Sequence, residues 1–401
     1  MRHYSQVLVP NHHDRKRPMS PTSLRGTRVS ELFTGAVSAI KGRSRNELPN
    51  ASQDAIATTS RRTLLKVGAT SAGALALPGL LSSVVTTSTP REGLILGAYR
   101  PGSTTAGIVA GSRLTITTKH VPKSHTTYTN LDVRNNVVPG PSVGYVTYKN
   151  CVFRGPATRP RSFSSLYTMF QPHKRHFTFI DCTFIPQTPD YRWVGLQGYG
   201  FTLLRCDISN VVDQVDVFNN NGGPGGWNDN TLRNGPSDVV VQQSYFHDSA
   251  YFKPGVDPSS NGSHSDGIQW QGCTGLVVKG NYFTGHLATK YRPNYVGGST
   301  TNSAMMMKPD CGNIGGATIT KNWFGGGAVS LNAADAPARN RYITNLGSIT
   351  GNRFYRDQQY APNAFVANCH KTGSHTSIPV TFSGNVYDVN NARVGYLKKF
   401  F

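Results

Sequence analysis

Glutamate is almost missing from most of this 401-residue chain: after residue 90 only Glu92 occurs, and every other carboxylate there is an aspartate. Any carboxylate chemistry in that region rests on Asp. Charged residues make up only 15% of the chain, against 42 Gly, which excludes the sustained charged faces of a coiled coil. Six cysteines are too few for a disulfide scaffold at this length. What is present in quantity, 18 Tyr, 18 Phe and many Val and Thr, favours strands.

The net charge of +21 is unevenly placed. Residues 1–90 hold 12 of the 41 Lys and Arg and four of the 20 acids, so residues 91–401 carry +13. Within 1–90, Ser60-Arg61-Arg62-Thr63-Leu64-Leu65-Lys66 is followed by a Gly/Ala/Leu-rich stretch to Val85, interrupted by Pro78. This arrangement resembles a twin-arginine export signal. Gly, Thr, Ser and Pro dilute the stretch below the ~20 mainly apolar residues of a spanning helix. The expectation is a disordered leader over 1–90, removed on export, and a secreted domain over 91–401 with no stable membrane span.

Self-similarity organises that domain. An octet of alternating apolar residues ending in an aromatic or aliphatic side chain recurs eight times, starting at Val146, Phe177, Phe201, Val239, Leu276, Ala317, Gly347 and Val380. Its sixth position reads Cys151, Cys182, Cys206, Ser244, Asn281, Asn322, Asn352, Asn385. Stacked residues explain such a graded series: thiols pack in an apolar interior, and Asn amides bond to one another and to a bending backbone. Between octets lie second strands at 193–198, 214–219, 266–272, 303–309, 327–333 and 363–369. Repeats of 24–41 residues with two or three short strands each specify an all-β fold, a single-stranded right-handed parallel β-helix of about eight to ten coils. Hairpin strands of a sandwich would recur every ~8–12 residues. The aromatic tail Gly395–Phe401 is placed to close the C-terminal end.

This pattern, over approximately 94–390, resembles the pectin-lyase-like superfamily, the fold of pectate lyases and polygalacturonases. The segment Asn261-Gly262-Ser263-His264-Ser265-Asp266-Gly267-Ile268-Gln269 is similar to the Asn-Thr-Asp-Gly-Ile-Asp segment of polygalacturonases. There the aspartate joins an acid/base cluster completed by an Asp-Asp pair on the next coil, where this chain has Thr301-Asn302-Ser303. The resemblance implies a polysaccharide-active enzyme.

Aligning second strands places Asp213, Asp266, Asn302, Gly327 and Asn363 in one column, with adjacent coils ~4.8 Å apart. Like charges at that spacing raise one pKa or bind a cation, so Asp213 and Asp266 are the candidate Ca²⁺ ligands, no other cofactor being expected. Asp or Asn before a strand also simply caps turns. His264, two residues from Asp266, and Lys308 are candidate bases, with Asp266 a third catalytic candidate. His247, His286, Lys290, Tyr291 and Arg292 are the substrate-binding candidates. Tyr251, Phe252, Trp227 and Tyr295 in the long loops 219–237, 249–265 and 284–302 are the other aromatics placed to stack on sugars. β-Elimination on an acidic, uronate-containing glycan is the expected reaction, since it needs a base at C5 and cations at the carboxylate. Hydrolysis by two of Asp213, Asp216, Asp248, Asp266 and Asp310, and a non-catalytic glycan-binding helix, are the alternatives. The partner expected is a polysaccharide met by a secreted monomer; scattered Lys and Arg without a basic helix argue against nucleic acid.

Overall fold

In the computed structural model, which describes residues 99–140, 142–169, 176–218, 235–258, 262–284, 301–358, 364–370 and 377–400, each octet bends at its fifth residue. Asn150, Asp181, Arg205, Gln243, Gly280, Lys321, Gly351 and Gly384 all have φ between 52° and 63°. This left-handed backbone turns the chain sharply within one residue, at least cost for Gly and Asn. The residues before the bend, such as Phe177–Ile180, enter a nine-stranded first sheet. Those after it, such as Thr183–Phe184, enter a ten-stranded second sheet. The interleaved strands, such as Val194–Gly198 and Asp213–Val217, form an eight-stranded third sheet.

Successive coils pair in parallel and in register, Phe177 with Phe201, Thr183 with Asp207, Leu196 with Val215. The chain is therefore an all-β, right-handed parallel β-helix. A three-stranded sheet, Cys273–Thr274, Ile314–Gly315 and Ile343–Asn345, is added at a corner. Among the described residues no helix is long and apolar enough to cross a membrane. The leader and its Arg61-Arg62 pair lie outside the described residues.

Register makes every inward position a column. Phe246, Phe283, Phe324 and Phe354, at the octet's last position, stack at 4.4, 5.1 and 5.2 Å between ring centroids. Each is buried, and a fully buried Phe contributes about 1.5–3 kcal/mol. At the sixth position the Asn series forms a ladder. Asn281 donates its backbone N–H and its amide to Asn322 Oδ1 at 2.9 and 3.0 Å, and Asn322 repeats this onto Asn352, and Asn352 onto Asn385. The thiols of Cys151, Cys182 and Cys206 are free and buried above it.

One sequence expectation shifts and another holds. The strand expected at 327–333 is Leu331–Ala334, because Gly327, with φ 82°, sits in the turn before it. A Cβ on Gly327 would stand 2.8 Å from the Val329 carbonyl oxygen. The tail Leu397–Phe400 does form the last strand of the third sheet, beside Phe365–Cys369.

Replacing Asn322 with Leu removes the acceptor of two buried donors on Asn281. Chemical denaturation is expected to show a loss of about 2–4 kcal/mol, from about 1–3 kcal/mol per orphaned buried group. The exposed Arg113→Leu control should stay within about 0.5 kcal/mol of wild type.

Candidate functional site

Adjacent coils bring Asp213, Asp216 and Asp266 together at the third sheet. The strands Asp213–Val217 and Ser265–Trp270 pair with Val215 opposite Ile268 and Asp216 opposite Gln269. Val215, Val217, Ile268 and Trp270 fill the core, so alternation turns Asp216 and Gln269 to the outer side. Their column reads Thr168, Gln197, Asp216, Gln269, Met306, Asn332. Asp216 is the one ionisable residue among these, as expected where identical charges would stack ~4.8 Å apart.

Pairing is irregular between Ser265 and Asp266. The Asp266 backbone N–H donates instead to Asp213 Oδ1 at 3.0 Å, tying one coil's carboxylate to the next coil's main chain. Gly267 follows because the space is closed: a Cβ there would lie 2.6 Å from the Ala304 carbonyl oxygen and 2.8 Å from the Phe283 ring. That is the physical content of the Asp-Gly-Ile segment. Opposite Asp266 stands Ser303, one residue beyond the expected Asn302. Asn302 nevertheless reaches back, its amide donating to Asp266 Oδ1 at 3.3 Å.

Hydrogen-bond donors are shared unequally among the three acids. Asp266 also accepts from the Gln269 amide at 3.0 Å. Gln269 is oriented by Gln271, whose amide donates to Gln269 Oε1 at 2.7 Å, and Cys311 Sγ in turn donates to Gln271 Oε1 at 3.4 Å. Asp216 is only 5% exposed, and its Oδ1 has no hydrogen-bond partner among the described residues. Burial, followed by the charges of Asp213 and Asp266, holds the Asp216 carboxyl well above the usual range. Burial also raises Asp266, against its N–H donors. Asp213, which is partly exposed, is pushed up to about 7, mainly by burial and against the N–H of Asp266 and the amide of Gln269. All three carboxyls are thus held above the usual range, Asp216 with no donor on its Oδ1 among the described residues and Asp213 with the Asp266 N–H on its own.

Of the two candidate Ca²⁺ ligands, Asp213 accepts the N–H of Asp266, and Asp266 accepts the amides of Gln269 and Asn302. Among the described residues no group of three or more His, Cys, Asp or Glu is arranged to hold a metal ion.

Other sequence candidates are dispersed. His264 is exposed at the start of the strand that buries Asp266. Lys308 Nζ lies 3.6 Å from Asp310, which also meets Arg339 Nε at 3.6 Å. His247 belongs to the second sheet's outer face, where it stacks on Tyr245 at 4.2 Å. Its ring nitrogens meet Asp207 at 3.0 Å and Asp248 at 3.1 Å. Burial opposes protonation of His247, but these two carboxylates override it and push its pKa up to about 9. Phe252 is buried with Val212 and Ala250 and is not a sugar platform. Gly327 leaves the expected column. Trp227, His286, Lys290, Tyr291, Arg292, Tyr295 and Asn363 lie outside the described residues. Gln269 and Gln271, which orient the acids, went unnoticed in the sequence, although their spacing of two in Asp-Gly-Ile-Gln-Trp-Gln marks one strand face.

No protein-family model, curated protein or solved structure matches the chain.

Two titrations of the same sign follow, each weakening the fold as pH rises but in different windows. His247 is raised on folding, so its contribution to stability is complete below about pH 6.5 and is lost as pH rises through about 9. Asp213 is raised from its ordinary 3.8, so its protonated form favours folding and a penalty develops as pH rises from about 4 to 7. Thermal unfolding across pH should show the deficit of His247→Gln shrinking above pH 6.5. Asp213→Asn should gain on wild type towards pH 7 and then hold a constant advantage.

Proposed function

We propose that the protein is a glycoside hydrolase acting on a polysaccharide, with Asp216 as proton donor and Asp213 as the carboxylate that activates water. The observation carrying this reading is the unequal supply of donors: Asp213 Oδ1 accepts the Asp266 N–H while Asp216 Oδ1 accepts none among the described residues, and neighbouring carboxyls in unequal surroundings are suited to acid and base roles. The resemblance of the Asp266 segment to polygalacturonases, and of the coil pattern to the pectin-lyase-like superfamily, points to a glycan as substrate. A twin-arginine leader fits a secreted enzyme that meets polysaccharide outside the cell.

In this mechanism the Asp216 carboxyl gives its proton to the glycosidic oxygen as the bond to C1 breaks. Asp213 takes a proton from water as the water oxygen bonds to C1, so one proton enters the site for each that leaves. Asp266, Gln269 and Asn302 position the pair. Elimination is the weaker reading, because His264 is exposed and Lys308 is held by Asp310.

Purified protein screened against acidic and neutral polysaccharides should release reducing ends. Asp216→Asn should lower kcat by about 10²–10⁴-fold, the usual scale of general acid catalysis. Activity should fall below about pH 7 as Asp213 gains a proton, and that limb should disappear in Asp213→Asn. Ultraviolet absorbance from an unsaturated uronate would instead assign elimination, and full activity in Asp216→Asn would remove this site.

A further inference from the structure

One coil before the acids, two arginines share one counter-ion. Arg192 takes both oxygens of Asp190, Nε to Oδ1 at 3.0 Å and a terminal nitrogen to Oδ2 at 3.2 Å, and its backbone N–H donates to Oδ1 at 3.0 Å. Arg159 Nε approaches the same Oδ1 at 3.3 Å but makes no hydrogen bond. Its side chain is only 3% exposed. A buried guanidinium with half a counter-ion is costly, and burial together with Arg192 lowers its pKa. The pair carries a net positive charge that a second anion would compensate.

This charge is contiguous with the carboxylates. The Arg192 guanidinium lies 4.6 Å over the Tyr191 ring, and Tyr191 packs against Phe252 and Val212, the residue before Asp213. Val194 stands opposite Asp213, and Arg192 lies in the turn that leads into the Val194 strand, on the coil next to that of Asp213.

We propose that Arg159 and Arg192 form an anion subsite that receives a carboxylate or sulfate group on a sugar next to the one cleaved, making the enzyme selective for an acidic glycan. Cleavage beside this subsite rests on the hydrolase reading; the anion site does not. Arg192 presents its aromatic-backed cation at the surface, and Arg159 supplies the unsatisfied donor behind it. A planar guanidinium pair suits both oxyanions.

Calorimetric binding of oligogalacturonate, a sulfated galactan oligosaccharide and a neutral cello-oligosaccharide should be measured in the Asp216→Asn background. At least one anionic ligand should bind more tightly than the neutral one, and less so at high salt. Arg159→Met and Arg192→Met should each weaken that binding about tenfold or more, the loss of one charge-assisted hydrogen bond, with neutral binding unchanged. Whichever anionic ligand responds identifies carboxylate or sulfate as the group held. Asp190→Asn should tighten anion binding, a direction that structural damage would not produce. Unchanged binding in both arginine variants, or no preference for an anionic ligand, overturns the subsite even if Asp216 proves essential for cleavage. Cleavage that survives Asp216→Asn, with arginine-dependent binding intact, overturns the hydrolase assignment and leaves the subsite standing.

Discussion

A left-handed bend recurring at the same octet position is the constraint on which the rest of the molecule depends. Asn150 and its seven counterparts turn the chain between the first and second sheets within one residue. The next side chain is thereby aimed inside, where it meets its equivalent in the neighbouring coil. Because the bend recurs at the same octet position, the strands that follow arrive in register, and the third sheet inherits that register through loops of unequal length. Asp213 and Asp266 are neighbours for this reason, although 53 residues separate them.

Stacking has an electrostatic side. In a parallel coil each outward residue sees its counterparts above and below, so an outer column tolerates Thr, Gln and Asn more readily than repeated charge. The acid cluster departs from this rule by offsetting its members. Asp213 and Asp266 sit at the strand entrance, tied through a backbone N–H, and Asp216 sits farther along one strand. The glutamines absorb the difference, their amides pointed toward Asp266 by a chain that ends at a thiol. Arg192 stands apart from these acids, in a turn one coil earlier where Asp190 pairs with it.

Much of the fold was legible because the repeat displays its own geometry. The series from Cys151 to Asn385 marks an interior corner, and the structure supplies the Asn-to-Asn bonds that such a corner needs. The fifth position was harder to read, since Asp181, Arg205, Gln243 and Lys321 share no chemistry with Gly280; they share only a backbone angle. At the site, the proximity of Asp213 and Asp266 could be read from aligned strands. The slip from Asn302 to Ser303 could not, because it arises from a local irregularity beside Gly267 that leaves no periodic trace. Arg159 and Arg192 stayed hidden for a related reason: their meeting at Asp190 depends on loop paths between coils, and loops carry no repeat.

The change of side chain down the sixth column also has a mechanical meaning. From Asn281 onward each Asn is latched to the next by two bonds, from its backbone N–H and its side-chain amide onto one Oδ1, whereas Cys206 and Ser244 are joined by one bond, from the Cys206 N–H to the Ser244 hydroxyl at 3.0 Å. In a solenoid whose stability is a sum of nearest-neighbour terms, the coupling constant therefore changes within the chain, between a thiol-lined block and an amide-latched block. Asp213 follows the Cys206 octet and Asp266 follows the Ser244 octet. The carboxylates thus lie across the seam between two blocks of different stiffness, and the bond from Asp266 N–H to Asp213 is one of the stitches across it.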